Sequence, residues 1–320
     1  MRSRGDYLLR RTAAAIGTLF AAVTMNFLLF HVLPGSAAVS MARVPGAGPG
    51  LREALTQEFG LNHPLYVQYV FYLWQLLHLN LGVSFYYHQP VLGLLVSSLG
   101  NTIPLVLLAT VFSIVLGIVT GVIGAWLRGS VFEHASVVPA LTFYATPVQW
   151  LGLMLILVFG GVLPTSGRSD PFLFNPTPLT ETLSVLSHLI LPSLTLGLVL
   201  YGQYTLIVRS AMLETLCEDY VLTAKAVGYT KPRILRVYGL RNGILPVISV
   251  IALSAGFIVG GAILVETVFN YPGIGLAVYN AILNRDYPML EGAFLILTVS
   301  VVFFNLLADL LYFRLDPRIV

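Results

Sequence analysis

The side chains with the clearest capacity for chemistry lie in a polar, basic stretch from Arg209 to Asn242, between the fourth and fifth apolar runs. Its centre, Asp219 to Gly228, predicts a short helix, because Asp219 is a favourable N-cap residue and glycine suits the position after the last helical turn. Small side chains at Ala224 and Ala226 leave room for another backbone to approach. The pattern indicates binding to a partner protein.

Neighbouring side chains suit the same role. Tyr220 and Leu222 would supply apolar anchors, and Lys225 would place a charge at the rim of the contact. A second helical stretch, from Pro232 to about Asn242, would return the chain toward the apolar runs, since proline suits a first helical turn. Composition alone leaves one alternative open, a solvated basic loop without a partner.

Catalytic motifs are absent from the sequence. An ATP-binding loop needs the pattern G-x-x-x-x-G-K-[ST], and no Gly-Lys pair occurs. A carrier driven by protons or sodium usually places acidic or His residues at mid-depth in its spans. Here His31, Glu266, Glu291 and Asp309 fall near the ends of apolar runs and are interpreted as structural. We therefore expect no enzymatic activity, no metal site and no cofactor in this chain.

A few polar side chains do fall inside the apolar runs. Hydrogen bonding between helices is one interpretation, and lining of a polar solute path is the other. The candidates for such a path are Gln149, Tyr201, Gln203, Tyr204 and Asn305.

Composition places the chain in a membrane. It has 57% hydrophobic residues, 10% charged residues and a mean hydropathy of +0.86, whereas soluble domains carry about 25% charged residues. Runs of about 20 apolar residues can cross a bilayer as helices, and these are too continuous for barrel strands. We predict an all-α, polytopic membrane protein with six transmembrane helices. The predicted spans are Thr12–Leu33, Asn101–Leu127, Ala135–Leu163, Thr182–Val208, Pro246–Phe269 and Glu291–Phe313.

The distribution of Lys and Arg predicts the orientation. With a cytoplasmic N-terminus, thirteen of the 17 Lys and Arg residues fall on the cytoplasmic side, as the positive-inside rule requires. Residues 1–11 and 314–320 are then cytoplasmic ends, and 12–33 is a retained first helix. Residues 34–100 form an extracytoplasmic region with short helices, and 101–313 form a five-helix core. That core includes a cytoplasmic coupling loop, 209–245. Scattered basic residues do not supply the contiguous face that nucleic acid binding needs.

The extracytoplasmic region contains an aromatic-rich segment, Tyr66–Leu79, that predicts an amphipathic helix. Its Phe71, Tyr72 and Trp74 are interpreted as anchors at the membrane interface. A docking surface for an external solute-delivering protein is the alternative.

Several patterns together resemble a known family of transport proteins. Residues 220–228 read Tyr-Val-Leu-Thr-Ala-Lys-Ala-Val-Gly, and Ile244-Leu-Pro246 follows. This resembles the Glu-Ala-Ala-x-x-x-Gly-x9-Ile-x-Leu-Pro loop of ABC importer permeases, in the variant form of the dipeptide, oligopeptide and nickel branch. Thr223 stands where the general pattern has Glu, and Ser36 stands where the family usually has Asp. Other matching pieces are Leu33-Pro-Gly35, Leu81-Gly-x-Ser84, Asn101-Thr102, Thr146-Pro-x-x-Trp150, Arg209-Ser-x-Met212, Glu266-Thr-Val-Phe-x-x-Pro-Gly-Ile-Gly275, Arg285-Asp-Tyr-Pro288 and Asp316-Pro-Arg318.

The resemblance covers nearly the whole chain and implies a permease subunit of an ATP-driven importer in a bacterial inner membrane. Its implied partners are a second homologous permease subunit, two cytoplasmic ATP-binding subunits that hold ATP and Mg, an extracytoplasmic substrate-binding protein and membrane lipid. Di- or oligopeptides are the implied substrate. The family places the ATPase contact on the loop helix, which here comprises Asp219, Tyr220, Leu222, Thr223, Ala224, Lys225, Ala226 and Gly228.

Alternatives remain at this stage. One is a membrane channel or secondary carrier that works without ATPases, and another is a scaffold or receptor subunit that moves nothing. Within the importer interpretation, nickel chelates or another small solute could replace peptides.

Overall fold

The computed structural model describes residues 4–32, 63–173, 175–244 and 262–315. These residues are predominantly helical, and apart from an isolated bridge between Val83 and Pro90 they contain no β-structure. The all-α prediction is therefore confirmed. The chain divides into two compact units, one made of residues 1–100 with 273–320 and the other of residues 101–272.

The helices are numbered in chain order. They are α1 (Arg4–Phe27, continued by a π-helical turn, Leu28–Val32), α2 (Leu65–Leu77), α3 (Val91–Trp126), α4 (Val131–Ala145), α5 (Val148–Phe159), α6 (Pro178–Leu216), α7 (Asp219–Ala226), α8 (Ile274–Asn284) and α9 (Tyr287–Leu315). After α7, three short pieces run on as one helical stretch, called here the basic segment: Lys231–Arg233, the π-helical Ile234–Leu240, and Arg241–Gly243. Residues 262–268 are also helical.

Four of these helices contain stretches long and apolar enough to cross a membrane. The stretches are Leu9–His31, Val91–Trp126, Pro178–Leu216 and Tyr287–Leu307, and they correspond to the first, second, fourth and sixth predicted spans. Helices α3 and α6 have 36 and 39 residues, well beyond the ~20 that a span requires. The fifth predicted span, Pro246–Phe269, lies mostly outside the described residues.

The third predicted span, Ala135–Leu163, is broken. Helices α4 and α5 meet at an angle of 110°. Thr146 between them has extended backbone, with φ −81° and ψ 130°, because a residue before proline avoids the helical conformation, and Pro147 has no N–H to continue the helix. The described residues therefore hold four helices that are long and apolar enough to cross a membrane, or five if the bent pair is one span. The prediction of six helices is not confirmed in that form.

In the first unit, α1 and α9 pack side by side in opposite directions. Arg11 Nη1 lies 3.2 Å from Asp309 Oδ2 near one end of the pair. Toward the other end, the Asn26 amide donates a hydrogen bond of 3.1 Å to the carbonyl oxygen of Glu291. The beginning of α1 and the end of α9 therefore lie at the same end of this helix pair.

Helix α2 packs against α1 in the same unit. Val23 and Phe27 of α1 form a buried cluster with Tyr72 of α2. Burial raises the pKa of the Tyr72 phenol, so Tyr72 stays neutral across the physiological pH range, and its oxygen accepts a hydrogen bond from Asn26.

In the second unit, α6 makes close backbone contacts with its neighbours. At Gly202 a Cβ atom would lie 2.2 Å from the Ala140 carbonyl oxygen of α4, and at Gly117 of α3 it would lie 2.6 Å from Tyr204 Cβ. Both distances are far below van der Waals contact, so only glycine allows the helices to approach this closely. Leu191 and Leu196 of α6 share a buried core with Leu105 of α3.

Candidate partner-binding site

Helix α7 has well-defined ends. Glu218 is the N-cap residue, with extended backbone and no side-chain capping bond, and Asp219 is the first helical residue. At the other end, Gly228 has φ +86° and donates its N–H to the Lys225 carbonyl, while the Tyr229 N–H reaches the Ala224 carbonyl. This pair of bonds is a Schellman motif, in which a left-handed glycine closes the helix. The structure thus places Gly228 after the last turn, and Glu218 in the N-cap position expected for Asp219.

One face of α7 packs on its own chain. Val221 and Ala224 are buried against Ile234 of the basic segment. Tyr229 and Tyr238 stack with ring centroids 6.0 Å apart beside this cluster, and the Arg233 guanidinium lies 4.3 Å from the centre of the Tyr229 ring. Sequence reasoning interpreted Ala224 as a small surface residue that a partner's backbone approaches, and the burial of Ala224 corrects that interpretation.

The opposite face of α7 is open. Tyr220 and Leu222 of this eight-residue helix have 38% and 53% of their surfaces exposed, and Val227 directly after it has 67% exposed. The remaining candidate residues Asp219, Thr223, Lys225, Ala226 and Gly228 are exposed as well. This exposed set is called here the α7 face. It combines apolar side chains, which protein contact surfaces bury at their core, with polar side chains of the kind found at their rim.

Helix α7 is connected to α6 by a short link and by the packing of the basic segment. Cys217 and Glu218 alone separate the two helices. The basic segment then folds back onto the end of α6, where Met212 is buried and packs with Leu235 and Ile244. A Cβ at Gly243 would lie 2.8 Å from the Met212 sulfur. Helix α7, the basic segment and the end of α6 are therefore packed as one body.

An ion pair joins this body to α4. Arg209 of α6 binds Glu133 of α4 through its Nε, at 3.1 Å, and through Nη2. The second carboxylate oxygen of Glu133 accepts the Gly129 N–H, and the Ser130 hydroxyl caps α4 by accepting the Glu133 N–H. Sequence reasoning did not identify Glu133. The sequence pattern that could have revealed Glu133 is the capping pattern Ser130-x-x-Glu133 at the start of an apolar helix.

The candidate solute-path residues have different surroundings within their units. Tyr201 and Tyr204 are buried in α6, and the Tyr201 hydroxyl donates to the Ser136 carbonyl of α4 at 3.2 Å. Gln203 is half-buried, and Gln149 is exposed on α5. Asn305 belongs to the other unit, where its side-chain oxygen is buried and has no hydrogen-bond partner among the described residues. For Tyr201 the structure shows a helix-packing role.

Two further polar contacts join residues far apart in sequence. The Thr102 hydroxyl donates to the buried Glu266 carboxylate at 2.6 Å. The Ser84 hydroxyl donates to the buried carboxylate of Asp286. These residues fall in four of the sequence pieces on which the resemblance rests, so those pieces mark structural contacts and were not recognised as pairs beforehand.

Comparisons with known proteins agree with this arrangement. Residues 113–320 match the family described as binding-protein-dependent transport system inner membrane component, and residues 5–106 match its N-terminal counterpart. The chain is 37% identical over 333 residues to the dipeptide transport system permease protein DppB of Escherichia coli (strain K12), covering 98% of both chains. It is 35% identical to the di/tripeptide transport system permease protein DppB of Pseudomonas aeruginosa (strain UCBPP-PA14), again covering 98% of both.

A solved structure shares the fold. The chain resembles the MetNI methionine ABC transporter in an inward-facing conformation with a TM-score of 0.56 and 16% sequence identity. The match covers 70% of this chain and 96% of the other. At this identity the likeness concerns the fold alone.

Proposed function

Because this chain belongs to the family of binding-protein-dependent transport system inner membrane components, we propose that it forms the solute pathway of an ATP-driven peptide importer together with a second, homologous permease subunit. The chain is an ABC importer permease, a membrane component of transport and not the ATPase. Peptide is the substrate class in the names of the relatives that match nearly its whole length. Two cytoplasmic ATP-binding subunits and an extracytoplasmic binding protein complete the proposed assembly.

The observation that supports the coupling step is the α7 face. Its exposed apolar side chains lie on a helix whose other side is buried in the cluster of Val221, Ala224 and Ile234. A partner that binds the exposed side chains therefore also moves this cluster. We assign this face to the contact with an ATP-binding subunit. The contact needs no catalytic group in this chain, because ATP and Mg are held by the partner.

Helix α6 transmits the movement. It has 39 residues, about 58 Å at 1.5 Å per residue, which is longer than the bilayer core, and it ends two residues before α7. The Arg209–Glu133 pair joins the C-terminal part of α6 to α4. Closure of the ATPases on ATP would therefore shift α7, α6 and α4 together, and the pathway would open alternately to the two sides.

The experiment is to place arginine on the α7 face. Leu222→Arg and Ala226→Arg should weaken the ATPase contact by about 2 kcal/mol, roughly 30-fold in affinity, because a charge and a bulky side chain replace apolar and small ones. The measurements are co-isolation of the ATP-binding subunits and ATP-dependent uptake of a labelled dipeptide into proteoliposomes that contain the assembled transporter. Both should fall, while the permease still inserts and melts as the unmodified chain does.

The matched control is Glu214→Arg, an exposed position in the last turn of α6 that lies outside the α7 face. It should leave uptake unchanged. Ala224→Arg is unsuitable, because that side chain is buried in the chain's own cluster. If Leu222→Arg and Ala226→Arg retain full coupling, the assignment of this face is wrong.

Uptake assays also separate the alternatives. Accumulation of solute without any ATP-binding subunit would support a channel or secondary carrier. ATP-dependent uptake of a nickel chelate or another small solute, with dipeptides and tripeptides excluded, would keep the importer and reject the peptide assignment.

A further inference from the structure

Helix α2 has three polar side chains, Gln68, Tyr69 and Tyr72, turned toward the protein. Its 13 residues include no charged side chain. Gln68 is buried and donates to the His63 carbonyl at 2.8 Å. The Tyr69 hydroxyl lies 2.6 Å from the Thr24 hydroxyl of α1, and the Tyr72 hydroxyl accepts from Asn26 at 3.1 Å. The hydrogen-bonding groups of these three side chains are thus satisfied inside the first unit.

The outward face of α2 is apolar and aromatic. It consists of Leu65, Tyr66, Val70, Phe71, Trp74 and Leu77, with exposed fractions from 47% for Phe71 to 79% for Leu77. A helix at the surface of a soluble protein has the reverse arrangement, with polar side chains outward and apolar ones inward. An apolar outer face with a polar inner face is the arrangement that a hydrocarbon surrounding favours.

The position of α2 against α1 supports that surrounding. Thr24, the partner of Tyr69, lies seven residues before the end of the apolar stretch Leu9–His31, or about 10 Å along the helix. Side chains of α2 therefore reach α1 at a level that belongs to the apolar stretch. On α1 itself, Phe20, Leu28 and Leu29 are exposed, so the apolar surface extends over both helices.

Length excludes a full crossing. At 13 residues, α2 is about 20 Å long, whereas a span needs about 20 residues. Tyr66 and Trp74 are the residue types that settle at the boundary between hydrocarbon and headgroups. The helix is flanked by His63 and His78, which can remain in the headgroup layer.

We propose that α2 is an interfacial helix, with its outward face buried in lipid in the leaflet where α1 ends. It presents no docking surface for a soluble protein. The inference concerns the membrane position of one helix and does not depend on the solute that the transporter carries.

Spin labelling of the assembled transporter tests the proposal. Cys217 is the single cysteine of the chain, so a Cys217→Ser background allows a nitroxide to be attached at Val70→Cys or Trp74→Cys. The Cys217→Ser transporter without an introduced cysteine is treated with the same label, and its signal, which comes from the other subunits, is subtracted. Power saturation compares collisions with oxygen, which concentrates in lipid, and with a water-soluble nickel chelate. Ile16→Cys, exposed in the middle of α1, is the lipid reference, and Glu181→Cys, exposed at the start of α6, is the aqueous reference.

Labels at positions 70 and 74 should show an oxygen-to-nickel collision ratio near that of position 16 and well above that of position 181. Val70→Lys, in combination with Trp74→Cys, should shift the ratio toward water. Free access of the nickel chelate to the labels at positions 70 and 74, without the Val70→Lys change, would place the face in water and overturn the proposal. Shielding from both reagents, in the complex or after addition of the binding protein, would show a protein contact and overturn it as well.

Discussion

At the scale of single residues, buried carboxylates hold distant parts of each unit together. Asp286 accepts hydrogen bonds from the Ser84 hydroxyl and from the N–H groups of Phe85, Tyr86 and Met289. Its side chain is fully buried. A buried carboxylate is tolerated only when hydrogen bonds replace its lost hydration, so Asp286 both caps α9 and fixes the turn after residue 83.

We predict that Asp286→Ala destabilises the first unit by about 3 kcal/mol, because several buried donors lose their acceptor at once. Ser84→Ala removes one of these bonds and should cost about 1 kcal/mol. The measurement is the thermal unfolding midpoint of the purified transporter in detergent, together with protease cleavage in the 84–89 turn.

Asp170→Ala serves as the control, because Asp170 is an exposed acidic residue in a turn of the other unit. Its unfolding midpoint should match that of the unmodified chain. Equal midpoints for Asp286→Ala and Asp170→Ala would show that the carboxylate at 286 has no structural role.

Long-range contacts such as the hydrogen bond between Ser84 and Asp286 could not be predicted from the sequence. Ser84 and Asp286 stand in separate short patterns about 200 residues apart, and neither pattern states that the other is its partner. Hydropathy predicted which runs enter the membrane, but a hydrogen bond between two loops depends on how the helices pack. The same holds for Glu133, whose partner Arg209 is known only once α4 and α6 lie side by side.

At the scale of elements, the end of α7 depends on one glycine. Gly228 has φ +86° and an open surrounding, with no atom within 4 Å of the position a Cβ would take. A substitution there is opposed by backbone strain alone. The Schellman bonds to Lys225 and Ala224 require this conformation.

Gly228→Ala should cost about 1 to 2 kcal/mol, the penalty of a left-handed conformation for a residue with Cβ. We expect faster hydrogen exchange at the amides of residues 225–229 and a partial loss of ATP-dependent uptake, because a frayed α7 presents its face less firmly. Hydrogen exchange followed by mass spectrometry is the measurement.

Gly161→Ala is the matched control, since that glycine also has open space around it and its φ is not positive. It should exchange and transport normally. Unaltered protection of residues 225–229 in Gly228→Ala would contradict the role assigned to the glycine.

Sequence reasoning succeeded for elements set by local chemistry and failed where tertiary packing decides. The α7 helix and the glycine after it follow from residue types within ten positions. The orientation of Ala224 does not, because on a helix this short either face could be buried, and Ile234 of the basic segment decides which one is. Likewise, the run 135–163 is apolar throughout, and its hydropathy does not reveal the 110° bend at Thr146–Pro147.

At the scale of the whole molecule, two independent observations bear on orientation. The pairing of α1 with α9 in opposite directions places the beginning of α1 and the end of α9 at the same end of that pair, since Arg11 contacts Asp309. The Lys and Arg distribution predicts that this end faces the cytoplasm. The proposed contact with an ATP-binding subunit requires the α7 face to lie on the cytoplasmic side, which is a separate prediction.

The ends of α6 offer a direct test of that orientation. Cys217 is exposed just after α6, and Asp170 is exposed in the turn before it. Because α6 is long and apolar enough to cross the membrane, we predict that the two positions face opposite sides. A membrane-impermeant maleimide should label Cys217 in inside-out vesicles and leave it unlabelled in right-side-out vesicles.

The variant Asp170→Cys, made in the Cys217→Ser background, should give the opposite result, with labelling confined to right-side-out vesicles. Arg128→Cys in the exposed turn between α3 and α4 is a second position expected on the cytoplasmic side. It controls for shielding of residue 217 by a bound ATPase. Labelling of positions 170 and 217 from one side would show that α6 does not cross the membrane. A fully reversed pattern would leave the fold intact but place α7 outside the cell, where neither ATP nor the proposed motor subunits exist, and the coupling mechanism would have to be abandoned.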